Sequence, residues 1–591
     1  MIVLDVETYP DYWLLAMMDK RDGRVVCFER YSDQDFNARS LGAAMARNQT
    51  ISFNGFGYDL PMIAAALEGW DNASLKRLSD QIITTPRPAW AICRDAGIAI
   101  PPEWDHVDIM NVAPGQSSLK IYGGRLHSPR LQDLPYDPDD LIDADRRDAL
   151  RRYCVNDLET TSLLHDKLSD AISLRDTMSA EYGMDLRSKS DAQMAETLIK
   201  SELTATTGRR YATPKLPSDY GFTYQDPGIV SFETPHLQSV FDRLKQTRFG
   251  LDKNGAVQLP EWLRAEPVTI AGRTYRMGIG GLHSAEQNQS VMASDDRLLF
   301  DLDVASYYPN IILQQQLAPK TLGREFLDVY QSIVDRRLHA KRTGDGVTNA
   351  ALKIAVNGSF GKFGSKYSAL YSPDLLIQTT ITGQLALLML IERVIAAGAD
   401  VVSANTDGIV VSCPVECESD VERAAWGWML DTTYELERTD YRLMASRDVN
   451  NYLAVKVGGG TKGKGAFASP SLMKNPDGNI VYTAVIAYAE SGTPVAETIN
   501  GCDDIRQFLT VRTVKGGAVW RGEALGKAVR FYASTSVPAD EPILYATNGH
   551  KVARSDGCRP VMDLPGQCPD DIDRQRYIER AEKLLCEVGL S

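Results

Sequence analysis

The stretch "SANTDGIVVS", residues 403–412, predicts a β-strand, a tight turn and a second strand, with Asn405, Thr406 and Asp407 at the tip. Asn, Asp and Gly are common in turns because they tolerate positive φ and bond to their own backbone, so the pattern could serve the turn alone. A second interpretation is that Asp407 binds a metal ion and that Asn405 stands where a second carboxylate would be expected. The surrounding sequence decides between them.

The stretch "RLLFDLDVASYYPNII", residues 297–312, predicts a strand in which apolar and acidic side chains alternate. Asp301 and Asp303 face one side, and we expect Pro309 to end the strand. The apolar residues of the other side are Leu298, Phe300, Leu302 and Val304. A buried strand rarely presents two acids on one side without a cation nearby.

The segment from about 328 to 363 predicts two helices separated by the turn "TGDG". Arg337 and Lys341 are one turn apart on the first helix, while Lys353, Asn357 and Phe360 share a face of the second. A helical hairpin of this kind can bind a triphosphate, and Phe360 could stack under a base. The alternative is an ordinary solvated helix pair.

The first ~170 residues alternate strand-like runs (2–6, 24–28 and 50–53) with helical stretches, which predicts an α/β domain. A helix follows in "DALRRYCVNDLETTSLLHDKL", and another begins near Ser190, where "SDAQ" has the form of a capping box.

Acidic residues recur at three places in this domain. "LDVET" places Asp5 and Glu7 on one face of a strand. "NGFGYDL" supplies Asp59, and "YCVND" places Tyr153 and Asp157 one helical turn apart. Four acids without a histidine suit Mg²⁺ or Mn²⁺, which prefer oxygen ligands. Two such ions about 3.5–4 Å apart can activate a water and stabilise the leaving oxygen of a phosphodiester.

In this order the three acidic motifs resemble those of the 3′–5′ proofreading exonucleases with four acids and a tyrosine, which adopt an RNase H-like fold. The metal ligands that the resemblance implies are Asp5, Glu7, Asp59 and Asp157. It further implies that Tyr153 positions the attacking water. Asn54 and, in "SSLKIY", Ser118 and Leu119 resemble the contacts to a single-stranded 3′ end.

"DVASYYP", "KIAVNGSFG" and "NTDG" together resemble motifs A, B and C of the family B DNA polymerases, in the right order. "GIGG" (278–281) resembles the glycine-rich element between exonuclease and polymerase, and "NNYLAVK" (450–456) resembles the lysine-x-tyrosine element that meets the primer. The resemblance covers nearly the whole chain and is closest to compact phage enzymes. It implies a template-directed DNA polymerase with a proofreading exonuclease.

Under this resemblance Asp303 and Asp407 hold two metal ions, and Tyr308 lies beneath the sugar and excludes a 2′-hydroxyl. The implied nucleotide contacts are Arg337, Lys341, Lys353, Asn357, Ser306, Tyr308 and Phe360. Phe360 replaces the usual tyrosine of motif B. The implied DNA contacts are Asn54, Ser118, Leu119, Gly280, Gly281, Tyr452, Lys456, Lys462 and Lys464. We further expect the grip on duplex DNA to come mainly from lysines and arginines of the thumb, including Lys515, Arg521, Lys527 and Arg530.

Two positions depart from the family pattern. Asn405 replaces the first acid of Asp-Thr-Asp, and Asn450 replaces the lysine of the lysine-x-tyrosine element, for which Lys456, Lys462 or Lys464 could substitute. In the family the second acid of motif C is the main metal ligand, and this chain keeps that acid as Asp407. An amide at 405 removes one like-charge repulsion from the site. We therefore expect an active enzyme, with Mg²⁺ or Mn²⁺ as cofactor and two ions per active site.

Composition limits the remaining choices. A net charge of −14 argues against a uniformly basic DNA-coating protein but allows a basic groove. Nine scattered cysteines, no secretory signal and no long apolar run predict a reduced cytoplasmic chain (in a bacterial host if it is a phage protein), without structural zinc or membrane contact. "GGGTKGKG" (458–465) fails as a phosphate-binding loop, because Gly465 stands where a hydroxyl is needed.

The fold class expected is α/β and α+β multidomain. The domains are an RNase H-like exonuclease (1–175), a helical linking region (176–275), a palm with an antiparallel sheet (276–325 and 376–470), helical fingers (326–375), and a thumb with the C-terminal region (471–591). The partners expected are primer-template DNA, dNTPs, a helicase and a single-strand-binding protein.

We expect a monomer. We also expect that it uses no terminal protein, because only 50 residues lead from Asp303 to Lys353 and the predicted elements fill them. Two alternatives are a chain that kept only the exonuclease and a catalytically silent replication scaffold.

Overall fold

The computed structural model describes residues 1–32 and 34–590, which divide into two compact units. The N-terminal unit comprises Met1–Ser190, Pro470–Ile480 and Asn500–Tyr577. The central unit comprises Asp191–Ser469, Val481–Ile499 and Ile578–Ser591. The chain is therefore a mixed α/β protein of more than one domain, as predicted.

The first part of the N-terminal unit is a five-stranded sheet with helices on both faces. Its strands are β1 (Ile2–Thr8), β2 (Tyr12–Asp19), β3 (Val25–Tyr31), β4 (Thr50–Ser52) and β5 (His106–Asp108). Its helices are α1 (Ala38–Arg47), α2 (Asp59–Leu67), α3 (Asn72–Thr84), α4 (Ala89–Ala96), α5 (Leu119–Arg125), α6 (Ala144–Lys167) and α7 (Ser169–Tyr182). The strand order is β3-β2-β1-β4-β5, antiparallel from β3 to β1 and parallel from β1 to β5.

The two faces of β1 pack against different helices. Leu4 and Val6 lie in one hydrophobic core with α2 and α3, whereas Val3 lies in another with Leu150 and Leu158 of α6. Alternate residues of a strand share a face, so Asp5 and Glu7 point to the α6 side with Val3.

The central unit contains a long sheet, a small sheet and a set of helices. Its elements up to residue 469 are α8 (Asp191–Thr207), β6 (Gly221–Thr223), α9 (Pro235–Gln246), β7 (Arg248–Leu251), β8 (Val257–Gln258), α10 (Glu261–Ala265), β9 (Val268–Ile270), β10 (Arg273–Met277), β11 (Leu282–Ser284), β12 (Gln287–Met292), β13 (Arg297–Val304), α11 (Tyr307–Gln314), α12 (Glu325–Thr343), α13 (Gly346–Lys362), α14 (Pro373–Ala396), β14 (Asp400–Asn405), β15 (Gly408–Pro414), α15 (Glu418–Thr432), β16 (Leu436–Asp448), β17 (Asn451–Lys456) and β18 (Thr461–Lys464).

The long sheet has the order β18-β17-β16-β13-β15-β14-β11-β10-β9, and β12 pairs with β16, while β6, β7 and β8 form a small separate sheet. The alternation predicted for β13 is confirmed. Phe300, Leu302 and Val304 pack in the core around α14, and Leu299 packs in a smaller core on the opposite face.

Helix α14 is the buried centre of this unit. By length and hydropathy it could cross a membrane, but 83% of its most apolar window is buried inside the protein, as in a core helix. The indole N–H of Trp428 on α15 donates to the carbonyl of Ala386 at 2.7 Å, which joins the two helices.

The helical hairpin predicted near 328–363 is confirmed as α12 and α13, joined at Gly344 and Asp345. Helix α8 packs against both helices, with ion pairs Arg336–Glu202 at 3.0 Å and Lys362–Glu196 at 3.3 Å. The sequence had not assigned α8 to this bundle.

One local prediction was wrong. Strand β13 ends at Val304 before Pro309 is reached, and Pro309 lies in the first turn of α11. Proline is tolerated there because the first N–H groups of a helix have no intrahelical acceptor.

The C-terminal part of the chain completes both units. Its elements are α16 (Asn479–Ser491), α17 (Val495–Asn500), β19 (Thr510–Trp520), β20 (Glu523–Ala533), β21 (Leu544–Tyr545), β22 (Cys558–Pro560) and α18 (Arg574–Glu587). The strands form a sheet of order β21-β19-β20-β22, which belongs to the N-terminal unit.

The structure corrects one predicted DNA contact. Arg530 is fully buried, and its guanidinium donates to the carbonyls of Val561 and Ser128, each at 2.8 Å, and of Met562 at 3.1 Å. It therefore joins the C-terminal sheet to the segment after α5 and is not available to a phosphate backbone. Lys515 and Lys527 are exposed, and Arg521 is exposed and paired with Glu541 at 2.7 Å; the DNA-binding roles of these three stay predictions.

Candidate active sites

The first site lies in the N-terminal unit, where β1 faces α6. Carboxylate oxygens of Asp5, Glu7 and Asp157 lie within 4.8 Å of one another. Tyr153 precedes Asp157 by one turn of α6, as predicted, and is buried beside it. Three of the four predicted carboxylates and the tyrosine are therefore brought together by one strand and one helix.

The fourth carboxylate, that of Asp59, contacts the part of β1 that extends beyond the end of β4. Strand β4 ends at Ser52, so the backbone of Val6 has no strand partner on that side. Asp59, the first residue of α2, takes the place of that partner, and its Oδ1 accepts the Val6 N–H at 3.1 Å. The sequence predicted Asp59 as a ligand but not this backbone contact.

Burial and mutual repulsion disfavour the charged forms of the carboxylates in this cluster. Burial, followed by repulsion from Asp157, raises the pKa of Asp5 to about 7. Burial and the neighbouring Asp5 raise the pKa values of Glu7 and Asp59 well above their ordinary range. An all-carboxylate donor set of this kind fits a hard divalent cation, which would offset the repulsion.

Lys120 is a site residue that the sequence reasoning missed. Its ammonium group donates to both carboxylate oxygens of Asp157 and lies 4.1 Å from the centroid of the Tyr153 ring. Burial raises the pKa of Asp157, and the charge of Lys120 partly offsets that effect. Lys120 directly follows Ser118 and Leu119 at the start of α5, so the motif that identified those two also contained the lysine.

Asp108 is a second residue that the sequence did not reveal, and it fixes the loop that carries Asn54. Asn54 has a φ of 73°, and its N–H donates to Asp108 Oδ1 at 2.9 Å. The next residue must be glycine, because a Cβ on Gly55 would lie 2.1 Å from Ser52 Oγ and 2.4 Å from His106 Nε2. Ser118 is exposed at the N-terminus of α5 and Leu119 is half-buried.

The second site lies in the central unit, where β13 and β15 run side by side. The backbone N–H of Val304 donates to the carbonyl of Asp407 at 2.7 Å, and Gly408 is the register partner of Asp303. A Cβ on Gly408 would lie only 2.2 Å from Asp303 Oδ1, so the carboxylate fills the space that a larger residue would need. Burial, followed by Asp303, raises the pKa of Asp407, which indicates that the two acids are close.

The turn that presents Asp407 is held by the glycine-rich loop between β10 and β11. Thr406 has a φ of 55°, and its N–H donates to the carbonyl of Leu282 at 2.8 Å. Gly281 packs against the turn so tightly that a Cβ would lie 3.0 Å from Thr406 Cα. Gly280 accepts a hydrogen bond from the Tyr308 hydroxyl at 2.7 Å. Both predicted glycines therefore lie at this site.

Asn405 has a local structural role. Its Nδ2 donates to the carbonyl of Val449 at 3.1 Å, and its Oδ1 accepts from the Thr406 hydroxyl at 3.2 Å. This amide ties the turn to the connection between β16 and β17. An aspartate could not make the first bond, because an ionised carboxylate has no hydrogen to donate.

Asp301 lies deeper than Asp303 on the same face of β13 and is bonded to two other strands. Its Oδ2 accepts from the Tyr441 hydroxyl at 3.0 Å and from Lys462 Nζ at 2.7 Å. Lys462 also contacts Asp303 Oδ2 at 3.0 Å. Burial alone would lower the pKa of Lys462, but Asp301 and Asp303 outweigh it and raise that pKa above its ordinary value. This lysine is the cation that the two acids of β13 required.

These residues surround a cleft of ≈ 420 Å³. It is lined by Asp301, Asp303, Ser403, Asn405, Asp407, Gly408, Val410, Met444, Tyr452, Lys462, Gly463 and Lys464. Tyr452 and Lys464 are cross-strand partners on β17 and β18, and both line the cleft; their contacts to DNA stay predictions. Lys456 and Asn450 are exposed near the ends of β17 and are not among its lining residues.

An aromatic pair borders this site. The rings of Tyr308 on α11 and Phe360 on α13 stack with centroids 4.4 Å apart. Burial, followed by the nearby Asp407, raises the pKa of Tyr308. Tyr307 is buried and donates to the carbonyl of Gly383 at 2.6 Å, so Tyr308 is the more accessible of the two tyrosines.

The helical hairpin brings cationic groups to the same region. Arg337 Nη1 donates to Ser306 Oγ at 3.3 Å. The Nε atom of Arg337 is buried and has no hydrogen-bond partner among the described residues. The other predicted nucleotide contacts on α12 and α13, Lys341, Lys353 and Asn357, are exposed.

Of three comparisons with known proteins, the comparison with solved structures found a match and the other two did not. No protein-family model and no curated protein matches the chain. Among solved structures, the chain is similar to the family B DNA polymerase from the hyperthermophilic archaeon Pyrobaculum calidifontis. The two share 14% sequence identity with a TM-score of 0.42, over 100% of this chain and 78% of that chain.

Proposed function

We propose that this protein is a DNA-directed DNA polymerase with a 3′–5′ proofreading exonuclease, of the family B type found in compact phage enzymes. The observation that carries the proposal is the central cleft. There Asp303 at the end of β13 and Asp407 in the turn before β15 meet, beside the Tyr308–Phe360 pair and Arg337. Two acids beside a stacked aromatic pair and cationic helices suit a deoxynucleoside triphosphate and a primer end.

In the polymerase site Asp303 and Asp407 would hold Mg²⁺ or Mn²⁺. Two such ions, when bound, stabilise the attacking 3′-oxygen and the leaving pyrophosphate oxygen. Arg337, Lys341 and Lys353 bind the β- and γ-phosphates. Lys341 and Lys353 are exposed on the helical hairpin, and Arg337 is held near the cleft by its bond to Ser306.

The sugar and base contacts follow from the aromatic pair. Tyr308 is held by its hydroxyl bond to Gly280, so its ring is fixed beneath the sugar, where it excludes a 2′-hydroxyl. Phe360 stacks on that ring and supports the base, with Asn357 nearby on the same helix.

In the exonuclease site Asp5, Glu7, Asp59 and Asp157 would hold the ions. Tyr153 orients the attacking water, and Lys120 holds the Asp157 carboxylate in place. Asn54, Ser118 and Leu119 contact the single-stranded 3′ end of the primer. The strand order of the N-terminal sheet is the feature that supports an RNase H-like domain here.

The remaining assignments complete the proposal. The long sheet serves as the palm, α12 and α13 as the fingers, and the C-terminal sheet as the thumb. Two elements extend these domains beyond the boundaries predicted from the sequence, because α8 (Asp191–Thr207) packs against the fingers and β9 (Val268–Ile270) belongs to the long sheet. The enzyme extends a nucleic-acid primer as a monomer in the cytoplasm, without a terminal protein. Between Asp303 and Lys353 the structure has α11, α12 and the first part of α13, which supports the absence of an inserted subdomain.

A primer-extension assay tests this function against its two rivals. Purified protein is incubated with a labelled primer-template and Mg²⁺, with and without dNTPs. We expect extension with dNTPs and 3′ shortening without them. Shortening under both conditions would support an exonuclease alone, and an unchanged primer under both would support a silent scaffold.

A further inference from the structure

We propose that Asp301 is not a metal ligand but the anchor that holds the Lys462 ammonium group against Asp303, as a built-in counter-ion of the polymerase carboxylates. This inference rests on the proposed function only in taking Asp303 and Asp407 as the metal ligands. It assigns Lys462 to the carboxylates, whereas the family resemblance implied a contact to DNA.

Asp301 and Asp303 differ in burial, and this difference indicates different roles. The Asp301 side chain is 6% exposed, whereas the Asp303 side chain is 42% exposed. The Oδ2 atom of Asp301 already accepts two hydrogen bonds, from Tyr441 and Lys462. A buried carboxylate with two such partners is satisfied within the protein, so Asp303 is the acid that can take a cation from solvent.

The backbone fixes the position from which Lys462 reaches both acids. Strand β18 is paired with β17, with Lys462 opposite Ala454. From there Nζ lies 2.7 Å from Asp301 and 3.0 Å from Asp303. The shorter bond, to Asp301, orients the Lys462 ammonium group. The longer contact is to Asp303 Oδ2, so a divalent ion that binds this oxygen would compete with Lys462.

This arrangement sets when the polymerase site can load metal. Without substrates, an ion that binds Asp303 and Asp407 must displace Lys462 from Asp303 or bind close to its positive charge, and both weaken binding. Lys464, on the same face of β18, adds a second positive charge to the cleft. An incoming triphosphate brings negative charge that offsets both lysines, so metal loading is coupled to nucleotide arrival.

The test is a titration of the full chain with Mn²⁺, followed by electron paramagnetic resonance, in the absence of DNA and dNTPs. A background with Asp5→Ala and Glu7→Ala removes ligands of the other site, so that the signal reports the central cleft. We expect Lys462→Met to bind Mn²⁺ about tenfold more tightly than its parent, a change of about 1.4 kcal/mol. Lys253→Met is the matched control and should leave the affinity unchanged, because Lys253 is an exposed lysine of the central unit that does not line the cleft and is not among the predicted DNA or nucleotide contacts.

A double variant guards against misfolding and against a simple charge effect. Lys462→Met leaves Asp301 buried with one partner fewer, whereas Asp301→Asn/Lys462→Met keeps an acceptor for Tyr441 and the parent net charge. Competition for Asp303 predicts tighter Mn²⁺ binding in both variants. Unchanged or weaker binding in the double variant, with its fold intact by circular dichroism, would overturn the proposal.

A second measurement addresses the DNA-contact alternative. Fluorescence anisotropy gives the Kd for primer-template at several salt concentrations. We expect Lys462→Met to keep the parent salt dependence, whereas loss of about one unit of slope would identify a phosphate contact and overturn the proposal. Neither titration requires catalysis, so a protein that binds Mn²⁺ as expected but extends no primer would refute the polymerase proposal alone.

Discussion

Gly408→Ala is the substitution whose effect on the polymerase site is most directly fixed by the geometry. The added methyl group would lie 2.2 Å from Asp303 Oδ1, 3.0 Å from the carbonyl oxygen of Leu302 and 3.2 Å from Asp303 Cα. Ordinary contact begins at about 3.4 Å, so the Asp303 carboxylate must move by roughly 1 Å or rotate away. The two backbone contacts are milder and require shifts of a few tenths of an ångström.

The expected magnitude follows from that displacement. A misplacement of about 1 Å in a catalytic constellation costs on the order of 100-fold in rate. The Asp303 side chain is partly exposed and can rotate into solvent, so the stability loss should stay at the low end of the roughly 1–3 kcal/mol typical of overpacking. Activity should therefore fall far more than stability.

Single-nucleotide extension kinetics measure the effect, with thermal unfolding as the stability control. Gly280→Ala is the matched comparison, because a Cβ there meets nothing within 4 Å and the residue lies in the neighbouring loop. Degradation of single-stranded DNA is an internal control, because the acids proposed for that activity (Asp5, Glu7, Asp59 and Asp157) belong to the N-terminal unit, whereas Gly408 belongs to the central unit. A Gly408→Ala enzyme that extends primers at the parent rate would refute the assignment of Asp303 as a metal-binding acid.

Three further predictions concern single side chains. Tyr308→Val should raise ribonucleotide incorporation by at least about tenfold in competition assays, because the ring no longer fills the position of the 2′-hydroxyl. Tyr307→Phe should leave the choice between ribose and deoxyribose unchanged. The reverse pattern would show that Tyr307 is the residue that excludes the 2′-hydroxyl. Asn405→Asp should lower stability by about 1–3 kcal/mol, because the bond to Val449 is lost, and should not raise activity at any Mg²⁺ or Mn²⁺ concentration; greater activity would show that a missing acid limits the enzyme. The folded-state pKa of Asp5 is about 7 against an ordinary 3.8, so metal-free stability should fall as the pH rises from about 4 through 7. Asp5→Asn should make that fall smaller in Tm measurements with a chelator, while the raised pKa values of Glu7 and Asp59 leave part of it; identical pH profiles would contradict the shift.

Local patterns predicted the elements around each site but not every partner within it. The alternation in residues 297–304 gave the two faces of β13, and the helical spacing gave α12 and α13, because both periods are properties of the local sequence. Strand β2 was missed because "YWLLAMMD" is buried almost throughout and therefore shows no alternation. Pro309 was misjudged because proline ends strands and begins helices equally well.

The missing partners are long-range contacts. Lys120 lies 37 residues from Asp157 in sequence, and Lys462 lies 161 residues from Asp301, so neither pairing has a local signature. Arg530 was predicted to bind DNA as one of the cationic residues of the expected thumb, yet the carbonyls to which it donates belong to segments 31 and 402 residues away. Acids on strands and turns can be predicted from sequence, whereas the cation that meets each of them depends on the tertiary fold.

The central claim is that one chain carries two separate phosphoryl-transfer sites, and paired point variants test it most directly. Asp407→Asn and Asp59→Ala are compared with the parent on one labelled primer-template, with dNTPs to measure extension and without them to measure 3′ shortening. We predict that Asp407→Asn abolishes extension and keeps shortening, and that Asp59→Ala does the reverse, because the two acids lie in different units. Loss of both activities in either variant, with its fold intact by circular dichroism, would contradict the account.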